Sequence, residues 1–81
     1  MDIGVEISLY PLQADFASVI HQFIDRLNAD GRFRVVSNSM STQVFGDYGA
    51  VMQTLVRELR STLESNDKAV FVMKVLGPLT T

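Results

Sequence analysis

The stretch FRVVSNSMSTQVFG, residues 33–46, decides how this chain folds. Phe33–Ser37 and Thr42–Phe45 are rich in β-branched and aromatic residues, which suit a pleated, half-buried surface. Between them, Asn38-Ser39-Met40-Ser41 reads as a polar turn, because Asn and Ser side chains bond nearby backbone groups. Two short strands joined this way predict an antiparallel hairpin. Gly46-Asp47 then punctuates the chain.

Helical patterns flank the hairpin on both sides. Upstream, Phe16, Val19, Ile20, Phe23, Ile24 and Leu27 form one broad apolar stripe at helical spacing. They predict a helix over residues 15–29, with Asp15 as N-cap and Gly31 as its stop. Downstream, Asp47 is expected to cap a second helix of roughly four turns. Its stripe is Val51, Leu55, Leu59 and Leu63, flanked by Met52 and Val56.

The outer elements are strands. Val5-Glu6-Ile7-Ser8-Leu9-Tyr10 alternates apolar and polar, and Pro11 ends it because proline cannot donate to a central ladder. After the turn Ser65-Asn66-Asp67, Lys68–Leu76 (KAVFVMKVL) is a fourth strand, closed by Gly77-Pro78. Strand, helix, strand, strand, helix, strand predicts an α+β fold. It is a ferredoxin-like βαββαβ sandwich, a four-stranded antiparallel sheet with two helices on one face. Residues 1–81 form a single domain.

The fourth strand is apolar on both sides: Val70, Val72 and Leu76 on one, Ala69, Phe71, Met73 and Val75 on the other. A strand with one solvated face should alternate, and here Lys74 is the only interior charge. The helices can cover one face only. A homodimer or homotetramer packed through sheet faces is therefore expected.

Composition bounds the rest. Eighty-one residues at 47% hydrophobic make one small domain, near the size where a single core is only just sufficient. Seven Lys and Arg against nine Asp and Glu give a net charge of −2, without the basic footprint that nucleic acid or an anionic membrane needs. There is no cysteine, which excludes disulfides, thiolate catalysis and cysteine-ligated metals. No basic segment followed by an apolar run opens the chain, and no apolar run approaches the ~20 residues a bilayer demands. A soluble, cytoplasmic protein is expected.

The sequence carries no catalytic constellation. His21 is the only histidine and sits beside a helix stripe, so no metal site is expected. Paired carboxylates, a nucleophile elbow and a glycine-rich phosphate loop are all missing, so we expect no enzyme and no cofactor. An RNA-recognition module shares the topology, but Thr42-Gln43-Val44-Phe45-Gly46 lacks its stacking aromatics. What remains is a polar set against apolar walls. Glu6, Ser8 and Tyr10 share one face of the first strand, and Ser37, Asn38, Ser39, Ser41, Thr42 and Gln43 crowd the hairpin. A solvated turn and a small-ligand pocket are both consistent with this pattern. Periodicity does not choose between them.

Ser8-Leu9-Tyr10-Pro11, then Asp15-Phe16 and Val19-Ile20, then Met40-Ser41-Thr42 with Gly46 four residues after Thr42, resembles the YkoF-like family. The resemblance runs from about Ile7 to Leu59. It implies a ferredoxin-like repeat that binds thiamine or its hydroxymethylpyrimidine moiety in uptake or salvage, without catalysis. With one repeat in this chain, a duplicated arrangement would come from oligomerisation. Ser8, Tyr10, Ser41 and Thr42 stand on the shared motifs and are the implied ligand-binding residues. Asn38, Met40, Glu6 and Asp47 join them by proximity and chemistry: hydroxyls and amides match an aminopyrimidine, and a carboxylate suits the thiazolium cation. Tyr10 or Tyr48 is placed to stack on a ring. Glu6 stands where the resemblance implies a neutral or basic residue. The alternative is a protein–protein interaction or regulatory module of the same fold, with no ligand of its own.

Overall fold

The computed structural model describes residues 1–79. Its elements follow the order β1 (Asp2–Pro11), α1 (Phe16–Asp30), β2 (Arg34–Ser37), β3 (Thr42–Asp47), α2 (Tyr48–Ser65) and β4 (Ala69–Leu79). The strands form one sheet in the order β2-β3-β1-β4, with every neighbouring pair antiparallel. This is the expected ferredoxin-like arrangement.

Alternation along β1 builds the core. Ile3, Val5, Ile7 and Leu9 all point to one face and are buried there with Val44 of β3. Val19, Phe23 and Leu27 of α1 and Val51 and Leu55 of α2 close over them. Gly31 ends α1 in the left-handed conformation, with φ 78°, where an L side chain would be strained. Asp47 caps α2 as expected, its carboxylate accepting from the Ala50 amide at 3.1 Å.

Four expectations need correcting. Asp15 makes no side-chain cap to α1; its carboxylate instead accepts from Gln13 Nε2. Phe16, at the head of the α1 stripe, is 55% exposed because it borders an open hollow instead of the packed core. On α2, Val56 and Leu63 are exposed, while Thr54, Glu58 and Thr62 are buried in their stead. Finally, β4 does not close at Gly77-Pro78 but runs on to Leu79. The ladder shifts there, since Asp2 pairs with Leu79 and Gly4 with Leu76. A proline tolerates such an irregular stretch on an edge strand, where its missing N–H breaks no outer ladder.

The buried polar residues of α2 belong to a network across the helix seam. Arg26 of α1 donates to Glu58 Oε2 at 2.5 Å and to Thr62 Oγ1 at 2.7 Å. Arg57 donates to the other Glu58 oxygen at 3.1 Å. At the end of α1, Arg32 forks onto Asp30 at 2.6 and 2.9 Å and reaches Thr54 Oγ1 at 3.1 Å. Burial pushes the Glu58 carboxyl up, but the hydrogen bonds and charges of Arg26 and Arg57 outweigh it and hold it below the usual carboxylate range. The Arg32 guanidinium does the same for Asp30.

On the face away from the helices, β4 stays open. Val72 and Leu76 are 50% and 67% exposed. Met73 and Val75 share the helix-side face with Ile7 and Val5, yet they too are exposed, because β4 lies at the edge beyond the helices' reach. Among the described residues, no helix is long and apolar enough to cross a membrane.

Candidate functional site

The site grows out of a mismatch in strand length. On one side, β1 pairs with β4 as far as Pro11↔Ala69. On the other, its ladder with β3 stops at Ile7↔Thr42. Ser8–Pro11 therefore have no strand on the β3 side, and the hairpin turn stands over that gap. Asn38 holds the turn: its side-chain oxygen accepts from the Met40 and Ser41 amides at 2.8 and 3.0 Å, and its own amide donates to the Ser41 carbonyl at 3.1 Å. With its oxygen engaged, Asn38 offers a ligand its NH₂ group.

Alternation along β1 sends Glu6, Ser8 and Tyr10 to the open face, opposite Ile7 and Leu9. Together with Asn38, Met40 and Ser41 they line a hollow of about 520 Å³. Ser8 Oγ donates to the Met40 carbonyl at 3.5 Å, which ties strand to turn. Glu6 is the electrostatic centre. Its Oε2 accepts from Ser41 Oγ at 3.1 Å and from Gln43 Nε2 at 3.5 Å, and Lys74 Nζ lies 4.0 Å from its Oε1. The Lys74 ammonium is largely in solvent, so this pair is weak and leaves the carboxylate available.

A second hollow, of about 410 Å³, lies under the same strand end on the helix side. Leu9, Phe16, Ile20 and Phe23 wall it, and Thr42 and Ser41 supply polar groups. Tyr10, Asn38 and Met40 border both hollows. Met40 projects between them and is 83% exposed.

Six of the eight residues expected from sequence thus meet at the polar hollow. Thr42 does not; it is buried on the helix side, its hydroxyl 3.2 Å from Ser37 Oγ. Asp47 is a correction. It pairs with Asp2 at the far end of the sheet, where its carboxylate caps α2 and lies 3.8 Å from the N-terminal amine. Tyr48 begins α2 at that same distant end. Ser39, named in the polar hairpin but not among the ligand-binding residues, also lines the polar hollow, as do Val72 and Lys74, which sequence reasoning missed. For Lys74 the signal was available: a strand's only charge tends to face an opposite charge on the neighbouring strand, and its register partner is Glu6.

The model of the YKOF-related family matches residues 2–75. The chain belongs to that family. Among curated proteins, none matches this YkoF-related chain significantly by sequence. Solved structures share its fold. A protein of Thermotoga maritima, provisionally assigned to thiamine biosynthesis or salvage, superposes with a TM-score of 0.82 at 18% identity, over 93% of this chain and 82% of its own. A Streptococcus pneumoniae protein reaches 0.88 at 20% identity, over 98% and 89%. A hypothetical protein of Methanocaldococcus jannascii reaches 0.81 at 20%, over 99% and 84%. At such identities these likenesses establish the fold alone.

Proposed function

We propose that the chain is a cytoplasmic, non-catalytic binder of thiamine or its hydroxymethylpyrimidine moiety, serving uptake or salvage of the vitamin's precursors. The observation that carries this reading is the meeting of Glu6, Ser8, Tyr10, Asn38 and Ser41 at one hollow of small-molecule size in a YkoF-related chain. Ser8 and Ser41 bring hydroxyls and Asn38 an amide, which suit the amine and ring nitrogens of an aminopyrimidine. Glu6 suits a cationic thiazolium, and Tyr10 offers its ring face. Phosphate esters bind less well, because among the described residues the only cation lining the hollow is Lys74 and it faces Glu6.

Thermal unfolding with thiamine, hydroxymethylpyrimidine and thiamine phosphates tests the reading. A ligand at a hundred times its Kd adds about 2.7 kcal/mol of stability. For a domain this small that is a Tm rise of at least about 10 °C. No stabilisation by any of them at millimolar concentration overturns it.

The same reading includes a second copy of the chain on the open sheet face. Val72 and Leu76, exposed beside the hollow, support it, because an apolar surface next to a binding site is costly to leave in water. Light scattering is expected to give a dimer or tetramer. A monomer would favour the interaction-module alternative, in which a different chain covers that face.

A further inference from the structure

The geometry points to a second ligand site on the open sheet face, toward the end away from the hairpin turn, that takes a small organic monocarboxylate. It is independent of the thiamine-type reading above. Four residues in register form one row across the sheet: Arg34 pairs with Phe45, Phe45 with Gly4, and Gly4 with Leu76. Strand alternation turns this row to the open face, as it does Glu6 two residues along β1. Gly4 contributes no side chain, and the Phe45 ring lies down into the space. A methyl group on Gly4 would stand 2.8 Å from Phe45 Cε1. Between the ring and Leu76 remains a hollow of about 270 Å³, with Glu6, Gln43 and Lys74 along its other side. That is close to the lower size of small-molecule pockets.

The same row supplies the recognition chemistry. Arg34 Cζ sits 4.1 Å from the centre of the Phe45 ring, so the guanidinium is held over the ring's face. Every other arginine is within ion-pair distance of a carboxylate: Arg26 and Arg57 at Glu58, Arg32 at Asp30, Arg60 at Glu64. Among the described residues Arg34 alone has no acidic partner, which leaves a positioned fork of donors unengaged. A planar carboxylate accepts two parallel N–H bonds from such a fork. Arg34 and Lys74 outweigh Glu6 by one charge, and Lys74 already faces Glu6. A single negative charge therefore matches the row, whereas Glu6 repels a phosphate dianion. Phe45 and Leu76 take the apolar body of the ligand. Leu76, 67% exposed, also belongs to the face assigned above to a second copy, so the site falls at that subunit boundary.

Titration calorimetry on the intact chain with benzoate, benzamide and inorganic phosphate tests the proposal, with backbone amide NMR to locate the binding. Benzoate is expected to saturate at millimolar concentration and to shift the amides of Gly4, Phe45 and Leu76. Benzamide has the same shape without the charge. It and phosphate are each expected to bind at least about tenfold more weakly, the reach of a hydrogen bond to a charged group. Arg34→Gln weakens benzoate by a similar factor, and it changes an exposed position on an edge strand, so folding is not at stake. The effect of thiamine on Tm is the same in this variant as in the wild type, so the two sites are read separately. No benzoate binding at millimolar concentration, equal affinity for benzamide, or full affinity in Arg34→Gln overturns the proposal. So do benzoate shifts centred on Ser8 and Ser41 in place of Gly4 and Phe45. Failure of the thiamine reading by itself moves none of these outcomes.

Discussion

Truncating Phe23 to alanine is expected to lower the unfolding free energy by about 3–5 kcal/mol, the cost of losing a buried aromatic ring and leaving a void. The ring is 1% exposed at the centre of the α1 stripe. It also does something the other core residues of α1 do not. Its centroid lies 5.4 Å from that of Phe71, at a tilt of 59°, a favourable aromatic geometry. Phe71 belongs to β4, whose remaining side chains mostly face solvent, so the Phe23–Phe71 contact fastens the edge strand to the helix layer. Thermal unfolding should show a Tm lower by at least about 12 °C. A loss below about 1 kcal/mol would mean that the helices collapse into the void and that the ring is not the fastening.

The second large effect is expected at the helix seam. Arg26→Ala leaves Glu58, whose side chain is 9% exposed, with Arg57 as its sole cationic partner, and leaves Thr62 without its donor. Stability should fall by about 2–3 kcal/mol, somewhat less than for a fully orphaned buried charge because Arg57 remains. Replacing both ends with apolar residues, Arg26→Met with Glu58→Leu, should recover most of that loss, since the desolvation of two charges disappears with them. A double variant as unstable as the single one would contradict this account. The network also sets the response to acid. Glu58 and Asp30 are held below their ordinary values of 4.5 and 3.8. The unfolded chain therefore takes up protons first, and the stabilisation is complete above pH 4.5 and lost as pH falls through the depressed folded values. Urea midpoints measured from pH 7 down to pH 3 should decline in that acid window in the wild type, and less steeply in Arg26→Ala. A flat wild-type profile would refute the link.

The element order was legible because each element has a clean period: the two-residue alternation of β1, the helical stripe ending at Gly31, the Asn38–Ser41 turn. The apolar excess of β4 was legible too, as a face that the chain's own helices cannot reach. Periodicity failed where packing between helices took over from hydrophobicity. A stripe containing Thr54, Glu58 and Thr62 looks polar in one dimension, and only the approach of Arg26 makes it an interior. It also failed at Asp15, where a residue of the right type found Gln13 instead of the helix amides. Within the site, strand alternation placed Glu6, Ser8 and Tyr10 together, and the turn chemistry of Asn38 brought in Met40 and Ser41. Asp47 was misplaced because nearness along the chain says nothing about which end of the sheet a strand's last residue occupies. Thr42 lies on the helix side instead, because its face depends on the β1–β3 register.

The edge position of β4 carries one more consequence. A free strand rich in Val, Phe, Met and Leu is a template on which further chains can stack their backbones, the first step toward cross-β aggregation. Lys74 interrupts that stretch, dividing Ala69–Leu76 into apolar runs of five and two residues, both shorter than the six or seven of a steric-zipper segment. The lysine that borders the polar hollow thus also breaks up the strand's aggregation-prone stretch.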